Sequence, residues 1–196
     1  MEDNKLCYAC IMQIFAFDNL DSSQEKAKAL IADNKARPFI VIAQTQNQGK
    51  GTKGRSWFSP EGGLYMSLVF DLDFNILKSD IEDFAQKICL KSVEVLKTSL
   101  IEYLRLTELQ ELSVKPINDL YYKDAKLAGI LLESINKEAN STLILGLGLN
   151  VKQLPESYQE NLAISLENIL SEQQFQGFRK EDFAVFYAEK LINAAF

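Results

Sequence analysis

Residues 44–63 form one long polar loop between two apolar runs, and it carries Gly49, Gly51, Gly54, Gly62 and Gly63, five of the chain's nine glycines. Phe39 to Ala43 (FIVIA) before it and Leu64 to Phe70 (LYMSLVF) after it both read as buried strands. That placement restricts the fold. Gly49, Gly51 and Gly54 match G-x-G-x-x-G, but a dinucleotide fold needs those glycines to end a strand and open a helix. Here they run into Arg55-Ser56-Trp57-Phe58-Ser59-Pro60, which gives a helix no clean start, and the next element is another strand.

The remaining periodicities agree with a sheet fed by runs of strands. Residues 11–17 (IMQIFAF) read as a strand, and Ser22-Ser23-Gln24-Glu25 has the S-x-x-E form of a capping box. The helix it opens should reach about Asn34 and stop before Pro38. Ser79 and Glu82 form a second box ahead of Ile81, Phe84, Ala85, Ile88, Ser92, Val95, Leu96, Leu100 and Tyr103, a helical spacing that should end near Leu104. Four short strands are expected at Leu112–Lys115, Leu120–Tyr122, Lys126–Ser134 and Thr142–Val151. Two helical pieces follow, at Leu166–Leu170 and Glu181–Ala194. Strands grouped in this way predict an α+β fold, with a mixed, largely antiparallel sheet and helices on one face.

Composition excludes several functions. A chain of 196 residues fits one domain and can build a core without staples. It has no histidine, which removes Ser-His, Cys-His and His-metal mechanisms together. A net charge of −6 argues against general nucleic-acid binding, DNA included. Cys7 and Cys10 lack the second pair that a zinc site needs, so with Cys89 they read as inert thiols. The apolar stretch from Leu6 to Phe17 lacks the basic start of a signal peptide, and no run is long enough for a membrane span. A cytoplasmic location is expected, without a membrane partner.

Three segments carry chemistry. In Gly49-Lys50-Gly51-Thr52-Lys53-Gly54-Arg55-Ser56-Trp57, backbone N–H groups and cations suit a lid over a phosphate, and Trp57, the one tryptophan, can stack on a base or apolar ligand. A solvated hairpin with Trp57 in the core accounts for the same residues. In Val114-Lys115-Pro116-Ile117-Asn118-Asp119, the Asn-Asp pair suits a tight turn. Lys126 then heads the apolar run Leu127-Ala128-Gly129-Ile130-Leu131-Leu132 and needs an anionic partner. Lys126 and Gly129 face opposite ways in a regular strand, so both reach one ligand only if a bulge lies between them. In the third segment Leu143, Leu145, Leu147, Leu149 and Val151 share a core face, leaving Gly146, Gly148 and Asn150 on the other. Two strand glycines mean close approach, by a flat ligand or by a crossing helix.

In this order and spacing the segments resemble the motifs of biotin protein ligases. The first resembles the G-R-G-R-x-G-R-x-W loop with its preceding Gln, here Gln46; the second resembles K-W-P-N-D followed by K-L-A-G-I-L; the third resembles G-x-G-(I/L/V)-N. Asp21-Ser22-Ser23-Gln24 resembles the family's D-S-T-N. Lys50 and Thr52 stand where the family has Arg, and Pro116-Ile117 replaces Trp-Pro.

The resemblance implies a fold like that of class II aminoacyl-tRNA synthetases and one catalytic domain over residues 1–196. It leaves no room for an N-terminal helix-turn-helix domain and shows no sign of a C-terminal SH3-like barrel. It implies ATP, Mg²⁺ and the substrate biotin, joined through biotinyl-AMP to a lysine of the biotin carboxyl carrier protein of acetyl-CoA carboxylase; a homodimer is compatible with it. Catalytic roles fall to Lys126, Asp119 and Lys115. Biotin binding falls to Ser22, Ser23, Gln46, Gly49, Lys50, Gly51, Lys126, Gly129, Gly146 and Gly148. ATP binding falls to Lys50, Arg55, Trp57, Asn118, Asp119, Lys126 and Asn150, with Asp119 also the Mg²⁺ ligand. A lipoate ligase or lipoyl transferase is the alternative, and a non-catalytic nucleotide- or nucleic-acid-binding module a more distant one.

Overall fold

The structure, a computed structural model, describes residues 12–73, 81–106, 111–115, 117–137, 140–152 and 163–195. Cys7, Cys10, Ser79, Pro116 and Asn161 therefore lie outside the described residues. Strands β1 (Gln13–Leu20), β2 (Phe39–Gln46), β3 (Leu64–Asp73), β4 (Leu112–Lys115), β5 (Asp119–Tyr122), β6 (Ala125–Lys137) and β7 (Asn140–Leu149) form one sheet in the order β1-β2-β3-β7-β6-β5-β4. Only β1 and β2 pair in parallel. The fold is the expected mixed, largely antiparallel α+β arrangement.

Period-2 alternation sorts the sheet into two apolar faces. Ile40 and Ile42, Met66 and Leu68, and Leu143, Leu145, Leu147 and Leu149 point to the larger core. There they meet Val93, Leu96 and Leu100 of α2 (Ile81–Tyr103) and Phe183, Tyr187 and Leu191 of the last helix (Lys180–Ala195). Phe39, Val41, Val69 and Ile144 point the other way, against Ala27, Leu30 and Ile31 of α1 (Ser23–Ala32). The expectation of helices on one face thus needs correcting, because α1 covers the opposite face. That helix is short. It packs where β2, β3 and β7 offer large side chains, and beyond it the glycines of β7 leave a trough.

Two local expectations also change. Ser22 is the N-cap of α1 but makes no side-chain capping bond, and Glu25 turns instead to Lys28 and Lys50. α1 ends at Ala32, ahead of Asn34, which adopts a left-handed φ of 57°. Among the described residues two short helices, Leu166–Ile169 and Glu172–Gln176, lie between α2 and the final helix, and the second has no counterpart among the expected elements.

Candidate active site

The trough on the α1 face deepens into a cavity of about 360 Å³, lined from α1, the 44–63 loop, β5, β6 and β7. Its floor follows from register. Gly129 of β6 pairs with Gly148 of β7, and Leu131 pairs with Gly146, so three glycines lie side by side. Trp57 covers part of that floor: a Cβ on Gly148 would come within 2.4 Å of the indole, and one on Gly129 within 3.0 Å. The indole N–H is buried without a hydrogen-bond partner among the described residues. At Gly146 the neighbour is the Gln24 side chain, 3.2 Å from a Cβ placed there. Close approach explains all three glycines, by an aromatic ring from the loop and an amide from the helix.

Lys126 reaches the same cavity through a bulge, the condition set by sequence for Lys126 and Gly129 to share a ligand. Opposite β5, Leu120 pairs with Ala128 and Tyr121 with Lys126, which leaves Leu127 as the extra residue. Lys126 and Gly129 are thereby brought to one side, and the Lys126 side chain is 3.3 Å from a Cβ on Gly129. The anionic partner is a protein carboxylate: Lys126 Nζ lies 2.8 Å from Asp119 Oδ1. The contact is off the hydrogen-bonding direction, so it is an ion pair rather than a hydrogen bond. The same ammonium lies 5.1 Å from the centre of the Trp57 ring, within cation–π range. Asn118 is tied to β6 twice, donating from Nδ2 to Ile130 O at 2.8 Å and accepting from Ile130 N–H at 2.8 Å. Asn150 donates to Lys126 O (3.3 Å) and Ile164 O (3.1 Å), binding the chain beyond β7 to the bulge.

The loop is a small folded unit. Trp57 N–H donates to Gly49 O, Lys50 bridges to Ser56, and Thr52–Gly54 is a single 3-10 turn with Lys53 at φ 58°. Arg55 folds back on it, donating to Thr52 O and Thr52 Oγ1. Thr52, where the resemblance expects a second Arg, is thus an acceptor that positions the remaining one. Gln46 ties loop to helix. Its Oε1 accepts from Ser23 N–H at 2.8 Å and its Nε2 donates to Ser59 Oγ at 2.8 Å. Lys50 pairs with Glu25, and its hydrogen bond, followed by that of Lys28, holds the Glu25 carboxyl below the ordinary carboxylate value.

Of the residues named from sequence, Ser22, Ser23, Gln46, Lys50, Gly51, Arg55, Trp57, Asn118, Asp119, Lys126, Gly129, Gly146, Gly148 and Asn150 line the cavity. Gly49 and Lys115 do not. Gly49 serves the loop, since a Cβ there would fall 2.4 Å from Trp57 O and 2.6 Å from Ser59 Oγ. Lys115 sits with its ammonium 4.0 Å from the Tyr121 ring centre. Among the lining residues not named from sequence are Gln24, Thr52, Phe58, Leu131 and Ala163. The first four fall inside or beside the quoted motifs. Ala163 bridges to Lys126 from a distant segment and carries no local signal. Among the described residues no three Cys, Asp or Glu side chains gather as a metal site, and no helix is long and apolar enough to cross a membrane.

The chain is similar in sequence and fold to known proteins. A bifunctional ligase/repressor BirA from Escherichia coli is 37% identical over 112 residues, covering 56% of this chain and 32% of that protein. The BirA of Bacillus subtilis is 30% identical over 147 residues, covering 74% and 42%. The chain thus spans less than half the length of these curated relatives. The solved biotin protein ligase of Aquifex aeolicus, in complex with biotin and ATP, superposes with a TM-score of 0.70 at 26% identity, covering 93% of this chain and 69% of that one. The model of the biotin/lipoate A/B protein ligase family matches residues 17–150, a span that takes in the glycine loop, the Lys126 bulge and the β7 glycines, and the chain belongs to that family.

Proposed function

We propose that this chain activates biotin with ATP and passes it from biotinyl-AMP to a lysine of a biotin carboxyl carrier protein, that of acetyl-CoA carboxylase. One observation carries the reading: a single cavity joins a glycine floor, the Lys126–Asp119 pair and a loop bearing Lys50 and Arg55. In the first step a biotin carboxylate oxygen attacks the α-phosphorus of ATP, and pyrophosphate leaves with the electron pair of the broken P–O bond. Two anions must be held together. Lys126 supplies a fixed cation between them, and Arg55 and Lys50 supply cations from the loop. In the second step the carrier's lysine amine attacks the acyl carbon, AMP leaves, and the amine proton passes to solvent. Neither step needs an enzyme nucleophile or a histidine. The loop shields the anhydride from water.

Mg²⁺ suits this donor set as a companion of ATP. Such an ion keeps several waters and takes one or two carboxylates besides the phosphates, and Asp119 is a carboxylate within the cavity. Lys126 would then leave Asp119 for the substrate anions. The net charge of −6 supports a protein partner over DNA, and the need for ATP supports a cytoplasmic location. Biotin is favoured over lipoate by the polar atoms of the lining, where Ser22 Oγ, Gln24 Oε1 and the Trp57 indole N–H are buried without partners among the described residues. A cyclic urea can satisfy them and a dithiolane cannot. Pyrophosphate release with biotin, ATP and Mg²⁺ tests the reading. Release with lipoate but not with biotin would overturn it.

A further inference from the structure

Gln24 lies in the first turn of α1, is only 3% exposed, and meets the cavity beside Gly146. Its amide nitrogen donates to Glu133 Oε2 at 2.9 Å and approaches Ile144 O at 3.4 Å. A carboxylate and a backbone carbonyl only accept, so chemistry alone turns the NH₂ toward them. The carbonyl oxygen must then face away. It lies 3.2 Å from a Cβ placed on Gly146, buried, with no donor to it among the described residues. Glu133 is itself fixed, because its other oxygen accepts from Lys28 Nζ at 2.9 Å. Lys28 stands one helical turn after Gln24, so α1 supplies both groups that hold Glu133 and Glu133 holds the amide. Ser22, whose buried oxygen also has no partner among the described residues, is a hydroxyl that rotates to donate or accept and so makes no choice between ligands. Gln24 does make one.

We infer that Glu133 is a specificity-determining positioning residue: by taking the amide hydrogens of Gln24 it presents a fixed, buried acceptor to the cavity and selects a ligand head that carries a ring N–H. The inference rests on the biotin reading and deepens it. A cyclic urea offers N–H groups to this oxygen, whereas a ring without donors leaves it unpaired, the kind of mismatch that discriminates strongly between near-isosteres. Glu133 itself need not touch the ligand.

The test uses isothermal titration of the full chain with biotin and with two cyclic-carbamate analogues, each replacing one ring N–H by oxygen without added bulk. The wild-type protein should bind one of the two analogues about tenfold or more weakly than biotin, the size of one buried hydrogen bond lost. Glu133→Gln can donate as well as accept, so Gln24 is free to turn over, and the preference should fall below about threefold. Gln24→Met keeps the Lys28–Glu133 pair and removes the amide, and should lose the same preference even if the first variant folds poorly. Equal discrimination by wild type and either folded variant overturns the inference alone. Failure of the wild-type chain to bind biotin overturns the biotin reading and this inference with it.

Discussion

Lys126 Nζ stands 2.8 Å from Asp119 Oδ1 because Leu127 is an extra residue in β6, turning the lysine to the side that Gly129 occupies. The bulge makes one pair from residues that the strand would otherwise point apart. Lys126→Ala should therefore remove the central cation and leave the Asp119 carboxylate facing the same anions. Losing one preorganised charge contact costs on the order of 10²-fold or more in rate. Pyrophosphate release should drop by at least that factor while the melting temperature stays within a few degrees, since Lys126 and Asp119 keep side-chain exposures of 26% and 18%. Release within threefold of wild type would show that the lysine is not the activating cation.

Gly148 and Trp57 make a second coupled pair. A methyl at Gly148 would lie 2.4–2.8 Å from three indole atoms, so Gly148→Ala must lift the ring off the floor. The chain has one tryptophan, so its fluorescence reports on this contact alone. The emission should shift to longer wavelength as the indole meets water, and biotin affinity should fall by about five- to hundredfold, the cost of overfilling a tight site. An unchanged spectrum would mean that the ring does not rest there in solution.

Gln46 offers a test of stability. It holds Ser23 N–H and Ser59 Oγ at once, joining α1 to the loop. Gln46→Ala removes both bonds and leaves a part-buried N–H without its acceptor, at about 1–3 kcal/mol. A loss near 2 kcal/mol lowers the melting temperature of a chain this size by about 4–8 °C. Gln46→Glu keeps the acceptor for Ser23 N–H and should cost less than half as much. Equal losses in the two variants would place the effect elsewhere.

Much of this site was legible in sequence because its signals are local. Alternating leucines in β7 assign one face to the core and so assign Gly146 and Gly148 to the other, and Lys126 can share a ligand with Gly129 only across a bulge. The groups that occupy each place were not legible. Nothing near Gly148 in sequence says that Trp57 will cover it, because that contact depends on sheet order, and the Lys126–Asp119 pair depends on the shifted β5–β6 register. The same applies to Gln24 and Glu133, which are 109 positions apart. Glu25 misled for a related reason. The S-x-x-E pattern is a local capping signal, yet the carboxylate found two lysines instead, one of them in a distant loop.

That last contact makes the final prediction. Lys50 and Glu25 keep side-chain exposures of 44% and 46%, so their pairing adds little to global stability, yet it is a direct tie between the glycine loop and α1. The Glu25 carboxyl is held below its ordinary value of 4.5, first by Lys50 and then by Lys28. A depressed value means that the tie is fully present above about 4.5 and is lost as acid brings the pH down through the lower, folded-state value. Near neutral pH, Glu25→Gln should imitate the acid state. Trypsin can cut after Lys50, Lys53 or Arg55 only when the loop opens. The variant should be cut there about 1.4- to fivefold faster, matching the roughly 0.2–1 kcal/mol typical of an exposed pair. Salt at 1 M should speed cleavage of the wild type toward that of the variant and change the variant little, because screening removes the same attraction. Equal cleavage of the two proteins at low salt would mean that the loop is held by its own turn and by Gln46, with Lys50 as a bystander.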